Sequence, residues 1–275
     1  MNILIVGTGL FSQALSHCLQ KHTLSFLSRT QIKESASPVY NSFPNESFDL
    51  IILGIPRNSI KTFIDTNAKS ISTTPILFVS KGFDEHCSYD PVDNYPHLKN
   101  QALYFFGPNL ASEILASCPT YSVLCSYNKD LLKTYLPLFQ ETSFLSCEPY
   151  ESPREILLGC ALKNIYTLGY GYVEKMQSYN ASALYFVESL DEIQKWYQIF
   201  SLNFTFHKAI IGDYFVSCVG PSRNKTHGLN FPNQSEELLE GLISLKNLYD
   251  QYPNQFPLFE KLYRIFHLDE HIPLL

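Results

Sequence analysis

The sequence lacks the features that mark several large classes of protein. It contains no uninterrupted apolar run long enough to cross a membrane, no block of like charges and no low-complexity stretch. Its net charge of -6 and pI near 5.7 argue against a nucleic-acid-binding protein. These absences leave a globular protein as the remaining class. The chain has 275 residues, of which 45% are hydrophobic, and this length is enough for one large domain or two modest ones.

Paired metal-binding or disulfide motifs are also missing. The 7 cysteines are odd in number and none forms a CxxC pair, so neither a disulfide framework nor a zinc site is indicated. His267 and His271 are four residues apart without a third ligand nearby, and no metal is predicted. Because the chain opens directly on an apolar segment, we expect a cytoplasmic protein with reduced, mostly buried cysteines.

Apolar segments of strand length alternate with mixed segments in the first half of the chain. Five of them are residues 3–6, 23–27, 48–54, 75–80 and 102–106. This alternation predicts an α/β domain over residues 1–149, with a Rossmann-type parallel sheet and helices on both faces. From residue 150 onward long helical periodicities replace the strand signals, which predicts an all-helical domain over residues 150–275.

The first strand is followed at once by the turn Gly7-Thr8-Gly9 and then by helical periodicity. Strand, glycine turn and helix are the context that a dinucleotide fingerprint requires. Gly7 allows the tight turn, Gly9 lets the backbone approach a pyrophosphate, and the helix N-terminus offers free amides to that anion. Ser12 replaces the third glycine of the fingerprint. The turn predicts nucleotide binding, with a plain strand–helix turn as the alternative.

The second strand ends on Ser28-Arg29 without the carboxylate that NAD-preferring enzymes use to hold the ribose hydroxyls. A guanidinium can instead pair with a 2′-phosphate and stack on adenine. We therefore predict NADP(H) as the preferred cofactor and NAD(H) as a second one. The alternative is that Arg29 is a solvated surface residue. With parallel strands, the glycine turn, Arg29, Lys81 and Gly107 should lie on one rim of the sheet.

Charged residues interrupt two otherwise apolar, helix-like segments of the second half. Lys163 precedes Asn164 in the first segment, and the second carries Asp213 and then Arg223. Such charges are costly to bury unless they pair or take part in chemistry. Oxidising a secondary alcohol needs a base, and a desolvated lysine near a second cation such as Lys81 can act as one. The alternatives are that Lys163 is a surface lysine whose ammonium reaches solvent and that Asp213 only caps a helix.

Several short motifs follow one another along the chain. They are the glycine turn, Ser80-Lys81-Gly82, Gly107-Pro108-Asn109-Leu110-Ala111-Ser112-Glu113, Ala161-Leu162-Lys163-Asn164, Gly212-Asp213, Ser222-Arg223-Asn224 and Glu240-Gly241. In their order and rough spacing, the chain resembles the bacterial-type NAD(P)-dependent glycerol-3-phosphate dehydrogenases over nearly its whole length. It departs from that family in being shorter and at three motif positions. Ser12 stands where the family has its third glycine, Asn109 where it has a serine, and Ser217 where it has a threonine.

The resemblance implies that the chain interconverts sn-glycerol 3-phosphate and dihydroxyacetone phosphate in the cytoplasm, for phospholipid synthesis, and allows a homodimer. It makes Lys163 the base, with Lys81 and Asp213 completing the catalytic group. The implied substrate contacts are Lys81, Gly107, Asn109, Lys163, Asp213, Ser222, Arg223 and Asn224. The implied cofactor contacts are Gly7, Gly9, Leu10, Phe11, Arg29, Lys81, Ala111, Arg223 and Glu240.

Two other function classes remain open. A related β-hydroxyacid or opine-type dehydrogenase would share the cofactor domain but would not need the Ser222-Arg223-Asn224 cluster. A non-catalytic NADPH-binding protein would bind the nucleotide without needing Lys163. The intact set of polar site residues favours an enzyme that acts on a phosphorylated substrate.

Overall fold

The computed structural model describes residues 1–29, 37–233 and 239–275, which form two compact units. The first unit comprises Met1–Ser80 and Pro91–Pro153, and the second comprises Lys81–Asp90 and Arg154–Leu275. The sequence-based division between residues 149 and 150 differs from these units mainly in residues 81–90. That segment lies between two parts of the first unit in the sequence but belongs to the second unit in the structure.

The first unit is built on an eight-stranded sheet with the strand order β3-β2-β1-β4-β5-β6-β7-β8. Its elements are β1 (Asn2–Val6), α1 (Leu10–Cys18), β2 (Thr23–Leu27), β3 (Val39–Tyr40), β4 (Leu50–Leu53), α2 (Arg57–Asn67), β5 (Ile76–Phe78), β6 (Ala102–Phe106), α3 (Ala111–Leu115), β7 (Thr120–Ser126), α4 (Lys129–Gln140) and β8 (Leu145–Tyr150). The central strands are buried along almost their whole length, as in a sheet covered on both faces.

The predicted Rossmann-like sheet is confirmed, although it is not wholly parallel. Strand β7 runs antiparallel to β6, with Phe106 opposite Val123, and β8 then pairs parallel to β7. Strand β8 was not among the strands predicted from the sequence. Alternate residues at the start of β8 are exposed, so this edge strand lacks the continuous apolar run that marks the inner strands.

The carboxyl ends of the parallel strands share one edge of the sheet. Strands β1, β2, β4, β5 and β6 are paired in parallel, so the residues that follow them emerge at that edge. Gly7 follows β1, Ser28-Arg29 follows β2, Gly54 follows β4 and Gly107 follows β6. The predicted common rim of the glycine turn, Arg29 and Gly107 is therefore present within the first unit.

The second unit contains helices and the segment 81–90, in agreement with the predicted helical domain. The helices are α5 (Pro153–Glu174), α6 (Tyr179–Ile199), α7 (Lys208–Val219), α8 (Arg223–Asn230), α9 (Glu240–Gln251) and α10 (Pro257–Leu268). Helices α5 and α7 are the two apolar segments that carry Lys163 and Asp213. Both charged residues are buried, so each needs a partner that compensates for the loss of hydration.

The main chain of the segment 81–90 is hydrogen-bonded to side chains of α9. The amide of Phe83 donates to Ser244 Oγ at 3.0 Å, and Asn247 Nδ2 donates to the Phe83 carbonyl at 3.2 Å. Gly82 has a φ of +116°, and a Cβ there would lie 2.8 Å from Ser244 Oγ, so glycine is required at this approach. These contacts hold the segment that begins with Lys81 in the second unit. No local sequence pattern predicted this assignment.

A buried carboxylate from another helix caps the N-terminus of α10. The side chain of the helix's own N-cap residue, Phe256, makes no capping bond. Instead Glu192 of α6, which is 4% exposed, accepts from the amides of Leu258 at 2.7 Å and Phe259 at 3.0 Å. It also accepts from the hydroxyl of Tyr166 on α5 at 2.9 Å. One side chain thereby ties three helices together.

Glu192→Ala is expected to lower the free energy of unfolding by about 3 kcal/mol, because it leaves buried donors unsatisfied and removes a helix cap. Glu192→Gln, which retains an acceptor oxygen, should lose less. Urea denaturation measures both variants, with Glu188→Ala on the exposed face of the same helix as the control. Equal midpoints for Glu192→Ala and the control would contradict the capping role.

Candidate active site

Two lysines meet one aspartate in the second unit. Lys163 Nζ on α5 donates to Asp213 Oδ1 at 3.0 Å, and Lys81 Nζ donates to Asp213 Oδ2 at 2.6 Å. The side chains of Lys163, Lys81 and Asp213 are 8%, 17% and 4% exposed. The segment that carries Lys81 and the helix that carries Asp213 are 132 residues apart in sequence, so only the fold assembles this triad.

The two lysines are electrostatically different although they share one carboxylate. Burial opposes ionisation of Asp213, but the two ammonium groups outweigh it and hold the pKa of the carboxyl below its usual value. Burial is also the largest influence on Lys163 and, together with the charge of Lys81, lowers its pKa despite Asp213. At Lys81, Asp213 and other nearby acidic groups outweigh burial and raise the pKa. Lys163 is therefore the lysine that loses its proton more readily.

A hydroxyl and a backbone bond fix the orientation of Lys163. Its Nζ also donates to Ser217 Oγ at 2.7 Å, one turn beyond Asp213 on α7. Its carbonyl accepts from Thr167 Oγ1 at 2.7 Å, a hydrogen bond within α5. Ser217 was not among the predicted site residues and was noted only as a departure from a family motif. Its spacing of four residues from Asp213, which places both side chains on one helix face, was the available signal.

The Asn164, Asn224 and Glu240-Gly241 motifs converge beside the triad. Asn164 Nδ2 donates to Glu240 Oε2 at 3.3 Å, and the Gly241 amide donates to Asn224 Oδ1 at 3.3 Å. Burial raises the pKa of Glu240, and Lys81 and Arg223 act against that shift. Glu240, predicted as a cofactor contact, thus faces the positive charges of this unit. Asn164 was named in a motif but not among the predicted site residues.

Ser222 acts as the N-cap of α8, and Arg223 is the first residue of that helix. The Ser222 hydroxyl donates to the Ser217 carbonyl at 2.6 Å and accepts from the Lys225 amide at 3.3 Å. The side chain of Arg223 is exposed and makes no hydrogen bond or ion pair with the described residues. Its exposed guanidinium lies at the N-terminus of α8, where the helix dipole would act on a bound anion in the same sense.

The glycine turn of the first unit fits a nucleotide pyrophosphate. Gly7 has a φ of +94°, and a Cβ there would lie 2.6 Å from the Gly54 carbonyl, so only glycine is accommodated. At Gly9 a Cβ would meet no atom within 4 Å, which leaves open space before the first turn of α1. That turn has no side-chain cap, so its amides remain available to an anion. Leu10 and Phe11 are the first residues of this turn.

Ser12 is accommodated because the next strand also ends in glycine. Its hydroxyl donates to the Gly54 carbonyl at 3.3 Å. A Cβ on Gly54 would lie 2.1 Å from Ser12 Oγ, so the strand end leaves room for the serine. The departure from the third glycine of the fingerprint is thus compensated within the first unit, and α1 still packs closely against the sheet.

The end of β2 combines a buried hydroxyl with an exposed arginine. Ser28 is buried and its hydroxyl lies 3.3 Å from that of Thr8 in the glycine turn. Arg29 is exposed and makes no hydrogen bond or ion pair with the residues that the structure describes. The strand end therefore offers a hydroxyl and a guanidinium where a ribose-binding carboxylate would stand in an NAD-preferring enzyme.

Gly107 and Asn109 form a rigid turn after β6. A Cβ on Gly107 would lie 2.2 Å from the Tyr121 carbonyl, which explains the glycine. The Asn109 amide lies within hydrogen-bond distance of the Thr120 and Ser122 hydroxyls. Asn109, predicted as a substrate contact, is thus engaged in holding the turn onto β7. Ala111 begins α3 directly beyond that turn.

The predicted site residues fall into two groups. The second unit holds the triad and the residues of the α8 and α9 motifs, namely Lys81, Lys163, Asp213, Ser222, Arg223, Asn224 and Glu240. The first unit holds the rim residues Gly7, Gly9, Leu10, Phe11, Arg29, Gly107, Asn109 and Ala111. Lys81 follows the end of β5 by three residues and is grouped with the second unit, because the segment 81–90 packs on α9. Ser217, Asn164 and Ser244 are additions that the structure supplies.

Within residues 1–29, 37–233 and 239–275, no helix is both long and apolar enough to cross a membrane. Among the same residues, no group of three or more His, Cys, Asp or Glu side chains is arranged to hold a metal ion.

A Rossmann-like sheet with an uncapped glycine turn, together with a helical unit that buries a lysine–aspartate–lysine triad, is the arrangement expected of the nucleotide-dependent dehydrogenase class. Two family models match the chain: the N-terminal part of NAD-dependent glycerol-3-phosphate dehydrogenase over residues 41–132 and its C-terminal part over residues 155–273. The chain belongs to the NAD-dependent glycerol-3-phosphate dehydrogenase family.

Relatives of known name are identical to the chain at about a quarter of the aligned positions. Glycerol-3-phosphate dehydrogenase [NAD(P)+] of Chlamydia caviae is 28% identical over 66% of this chain, and the match spans 58% of that enzyme. The enzyme of the same name from Wolbachia pipientis is 26% identical over 79% of this chain and 74% of its own length.

Solved structures show the same fold at lower identity. Glycerol-3-phosphate dehydrogenase from Coxiella burnetii superposes with a TM-score of 0.85 at 19% identity, covering 98% of this chain and 95% of that one. A 2-dehydropantoate 2-reductase from Methylococcus capsulatus gives a TM-score of 0.67 at 15% identity over 98% of this chain and 96% of its own. These likenesses establish the fold, which several dehydrogenases share.

Proposed function

We propose that the protein interconverts sn-glycerol 3-phosphate and dihydroxyacetone phosphate by hydride exchange with NADP(H), and with NAD(H) as a second cofactor. The observation that supports this most strongly is the buried triad, in which a lysine of lowered pKa shares one carboxylate with a second, firmly protonated lysine. Family membership adds the substrate class. The first unit would bind the nucleotide, and the second would bind the substrate.

In the proposed mechanism, Lys163 takes the proton of the 2-hydroxyl group during oxidation. When bound, the nicotinamide supplies the hydride acceptor. Asp213 and Ser217 hold the Lys163 amine in a fixed orientation, at 3.0 and 2.7 Å. In the reverse direction the Lys163 ammonium donates its proton to the ketone oxygen. The lowered pKa of Lys163 suits both directions because either protonation state is accessible closer to neutral pH.

Lys81 keeps its positive charge throughout this cycle. Its pKa is raised, so it remains an ammonium while Lys163 changes protonation state. One permanent cation on Asp213 Oδ2 keeps the carboxylate ionised, and its field also favours a negatively charged oxygen on the reacting carbon. Lys81 is thus proposed to stabilise charge, and Lys163 to transfer the proton.

The substrate phosphate is assigned to the N-terminus of α8. Arg223 offers an exposed guanidinium there, beside Asn224 and the first amides of the helix. The Ser222 hydroxyl is already used in capping the helix, so its proposed contribution is to hold that terminus in place. A phosphate dianion requires charge-assisted donors, which this helix end provides.

A spectrophotometric assay of NADPH oxidation tests the proposal. Turnover with dihydroxyacetone phosphate supports it, and a β-keto acid as the better substrate would favour the β-hydroxyacid or opine-type alternative. Binding of NADPH without turnover of either substrate would identify a non-catalytic nucleotide-binding protein. Oxidation of sn-glycerol 3-phosphate with NADP+ and with NAD+ completes the assay.

Cofactor preference should depend on Arg29. Arg29→Ala is expected to raise the KM for NADPH by about tenfold, because it removes a charge-assisted contact to the 2′-phosphate. The KM for NADH, which lacks that phosphate, should change little. Steady-state kinetics with both cofactors measure this, with the exposed Lys21→Ala as a charge-matched control in the same unit. Equal use of both cofactors by the wild type would contradict the prediction.

We further propose a homodimer, supported by exposed apolar side chains on α6 and α7. Leu184 and Val187 on α6 and Phe215 and Val219 on α7 are 48–56% exposed. The ring of Phe186 contacts that of Phe215, so the two helices are adjacent. Sedimentation of the wild type and of Val187→Glu/Phe215→Glu tests this, with a monomeric wild type as the contrary outcome. A cytoplasmic role in supplying phospholipid synthesis completes the proposal.

A further inference from the structure

A buried hydroxyl of α9 contacts the main chain of the segment 81–90 directly after Lys81. Ser244 is fully buried, and its Oγ accepts from the Phe83 amide at 3.0 Å. The same oxygen would lie 2.8 Å from a Cβ on Gly82, so the main chain of the segment passes close to it. The two residues that follow Lys81 are therefore both fixed against Ser244. Neither the motifs nor the proposed mechanism assigns a role to this serine.

Further contacts hold Phe83 on its other sides. Asn247 lies three residues beyond Ser244 on α9, and its Nδ2 donates to the Phe83 carbonyl at 3.2 Å. The ring of Phe83 packs against those of Tyr89 and Phe200, with centroid distances of 5.9 and 6.0 Å. The amide, the carbonyl and the ring of one residue are thus all engaged within the second unit, so α9 determines where the start of the segment lies.

We propose that Ser244 is a positioning residue, whose hydroxyl places the Lys81 ammonium on Asp213 Oδ2 and thereby sets the electrostatic environment in which Lys163 exchanges its proton. The proposal rests on the proposed function, because it concerns the proton transfer by Lys163. Lys81 Nζ lies 2.6 Å from Asp213 Oδ2, and both groups are largely buried, so their interaction depends steeply on the position of the segment. Ser244 acts through the main chain and need not touch the substrate.

A displacement of Lys81 should change the pKa of Lys163 in a definite direction. Burial lowers that pKa most, Asp213 acts against burial, and the charge of Lys81 lowers the pKa further. If Lys81 withdraws, its repulsion weakens and Asp213 attracts the Lys163 proton without a competitor, so the pKa of Lys163 should rise. The other titratable groups that face the two lysines are Cys160 on α5, Cys218 on α7 and Glu240 on α9.

Ser244→Ala removes the hydroxyl without adding bulk and leaves the Phe83 amide without its acceptor. Loss of this hydrogen bond should lower kcat for sn-glycerol 3-phosphate oxidation by about 3- to 10-fold. The rising limb of the pH profile should move to higher pH, because the pKa of Lys163 rises. NADPH affinity should change little, since the nucleotide-binding turn belongs to the first unit.

Ser126→Ala is the matched control for the loss of a buried serine hydroxyl. Ser126 is 1% exposed, and its Oγ also accepts from a main-chain amide, that of Asn128 at 3.1 Å. It belongs to the first unit and contacts no residue of the segment 81–90 through this hydroxyl. Ser126→Ala should therefore keep the wild-type kcat and pH profile even if it lowers the thermal unfolding midpoint as much as Ser244→Ala does.

Nuclear magnetic resonance of isotope-labelled lysine side chains tests the placement of Lys81 without any turnover. The Lys163 signal is identified by its loss in Lys163→Arg, and its titration midpoint should rise in Ser244→Ala but not in Ser126→Ala. Lys81→Met, which removes the charge, should give the largest rise. Gly82→Ala, whose added Cβ would meet Ser244 Oγ, should also raise the midpoint, and by less in the Ser244→Ala background.

Three results would overturn the positioning role of Ser244. They are a wild-type Lys163 midpoint in Ser244→Ala, an equal change of that midpoint in Ser126→Ala, and additive effects of Gly82→Ala and Ser244→Ala. A wild type that turns over neither dihydroxyacetone phosphate nor sn-glycerol 3-phosphate would instead overturn the proposed function, while the titration of Lys163 still reports where Lys81 lies.

Discussion

Lys163→Ala is expected to lower kcat by about 10²- to 10⁴-fold in both directions, the range that a general acid–base group contributes. Lys163 Nζ is the donor of lowered pKa in the triad, and alanine leaves no group to exchange the substrate proton. NADPH affinity should be nearly unchanged, because the nucleotide-binding turn lies in the first unit. Stopped-flow and steady-state kinetics measure kcat, and fluorescence titration measures NADPH binding.

Two matched variants make the Lys163 result specific. Lys163→Arg keeps the charge but cannot lose a proton near neutral pH, so it should be nearly as impaired as alanine. Lys246→Ala, which removes a surface lysine paired with Asp250 on α9, should retain wild-type activity. A Lys163→Ala variant with a near-wild-type rate would remove Lys163 from the mechanism.

The pH dependence of the wild type follows from the same lysine. Alcohol oxidation needs the neutral amine, so kcat/KM for sn-glycerol 3-phosphate should rise with pH through the pKa of Lys163. Ketone reduction needs the ammonium, so its kcat/KM should fall through the same pKa. Because that pKa is lowered, the midpoint should lie below the 10.5 of an ordinary lysine. An oxidation rate that falls with pH across this range would contradict the assignment.

Arg223→Ala is expected to reduce kcat/KM for dihydroxyacetone phosphate by about 10- to 150-fold. This corresponds to the loss of about 1.5–3 kcal/mol, as for a hydrogen bond to a charged group. Arg223 is exposed at the start of α8 and makes no hydrogen bond or ion pair with the described residues, so its loss should not disturb the fold. Lysine cannot reproduce the planar fork, so Arg223→Lys should also be impaired. Steady-state kinetics at saturating NADPH measure both variants.

A substrate without a phosphate serves as the control for Arg223. Dihydroxyacetone and glyceraldehyde offer no phosphate to hold, so the mutant should lose much less activity with them. Because Arg223 was also predicted to touch the cofactor, NADPH affinity is measured alongside. Equal losses with phosphorylated and unphosphorylated substrates would show that Arg223 does not clamp the phosphate.

Local patterns in the sequence predicted much of the fold and part of the site. The apolar run before Gly7 and the helical periodicity after Gly9 determine a strand, a turn and a helix whatever lies elsewhere. Lys163 and Asp213 stood out because each is a charge in an apolar helix, and both are buried in the structure. These signals rest on residues close in sequence, so a single chain suffices to detect them.

Other features depend on contacts between distant segments. The packing of the segment 81–90 on α9 depends on a hydrogen bond between Phe83 and Ser244, which are 161 residues apart. The direction of β7 is decided by its pairing with β6, and Ser12 is tolerated because Gly54 makes room for it. No local pattern records such pairings.

The sequence by itself determined the two-part α/β and helical organisation, the glycine turn and the residue types available for catalysis. Only the tertiary structure supplies the difference in pKa between the two lysines on which their proposed roles depend. Lys163 and Lys81 share the carboxylate of Asp213, but burial prevails at Lys163 and the nearby negative charges prevail at Lys81. The difference arises because desolvation and Coulomb interaction depend on distance and burial, which are properties of the folded chain.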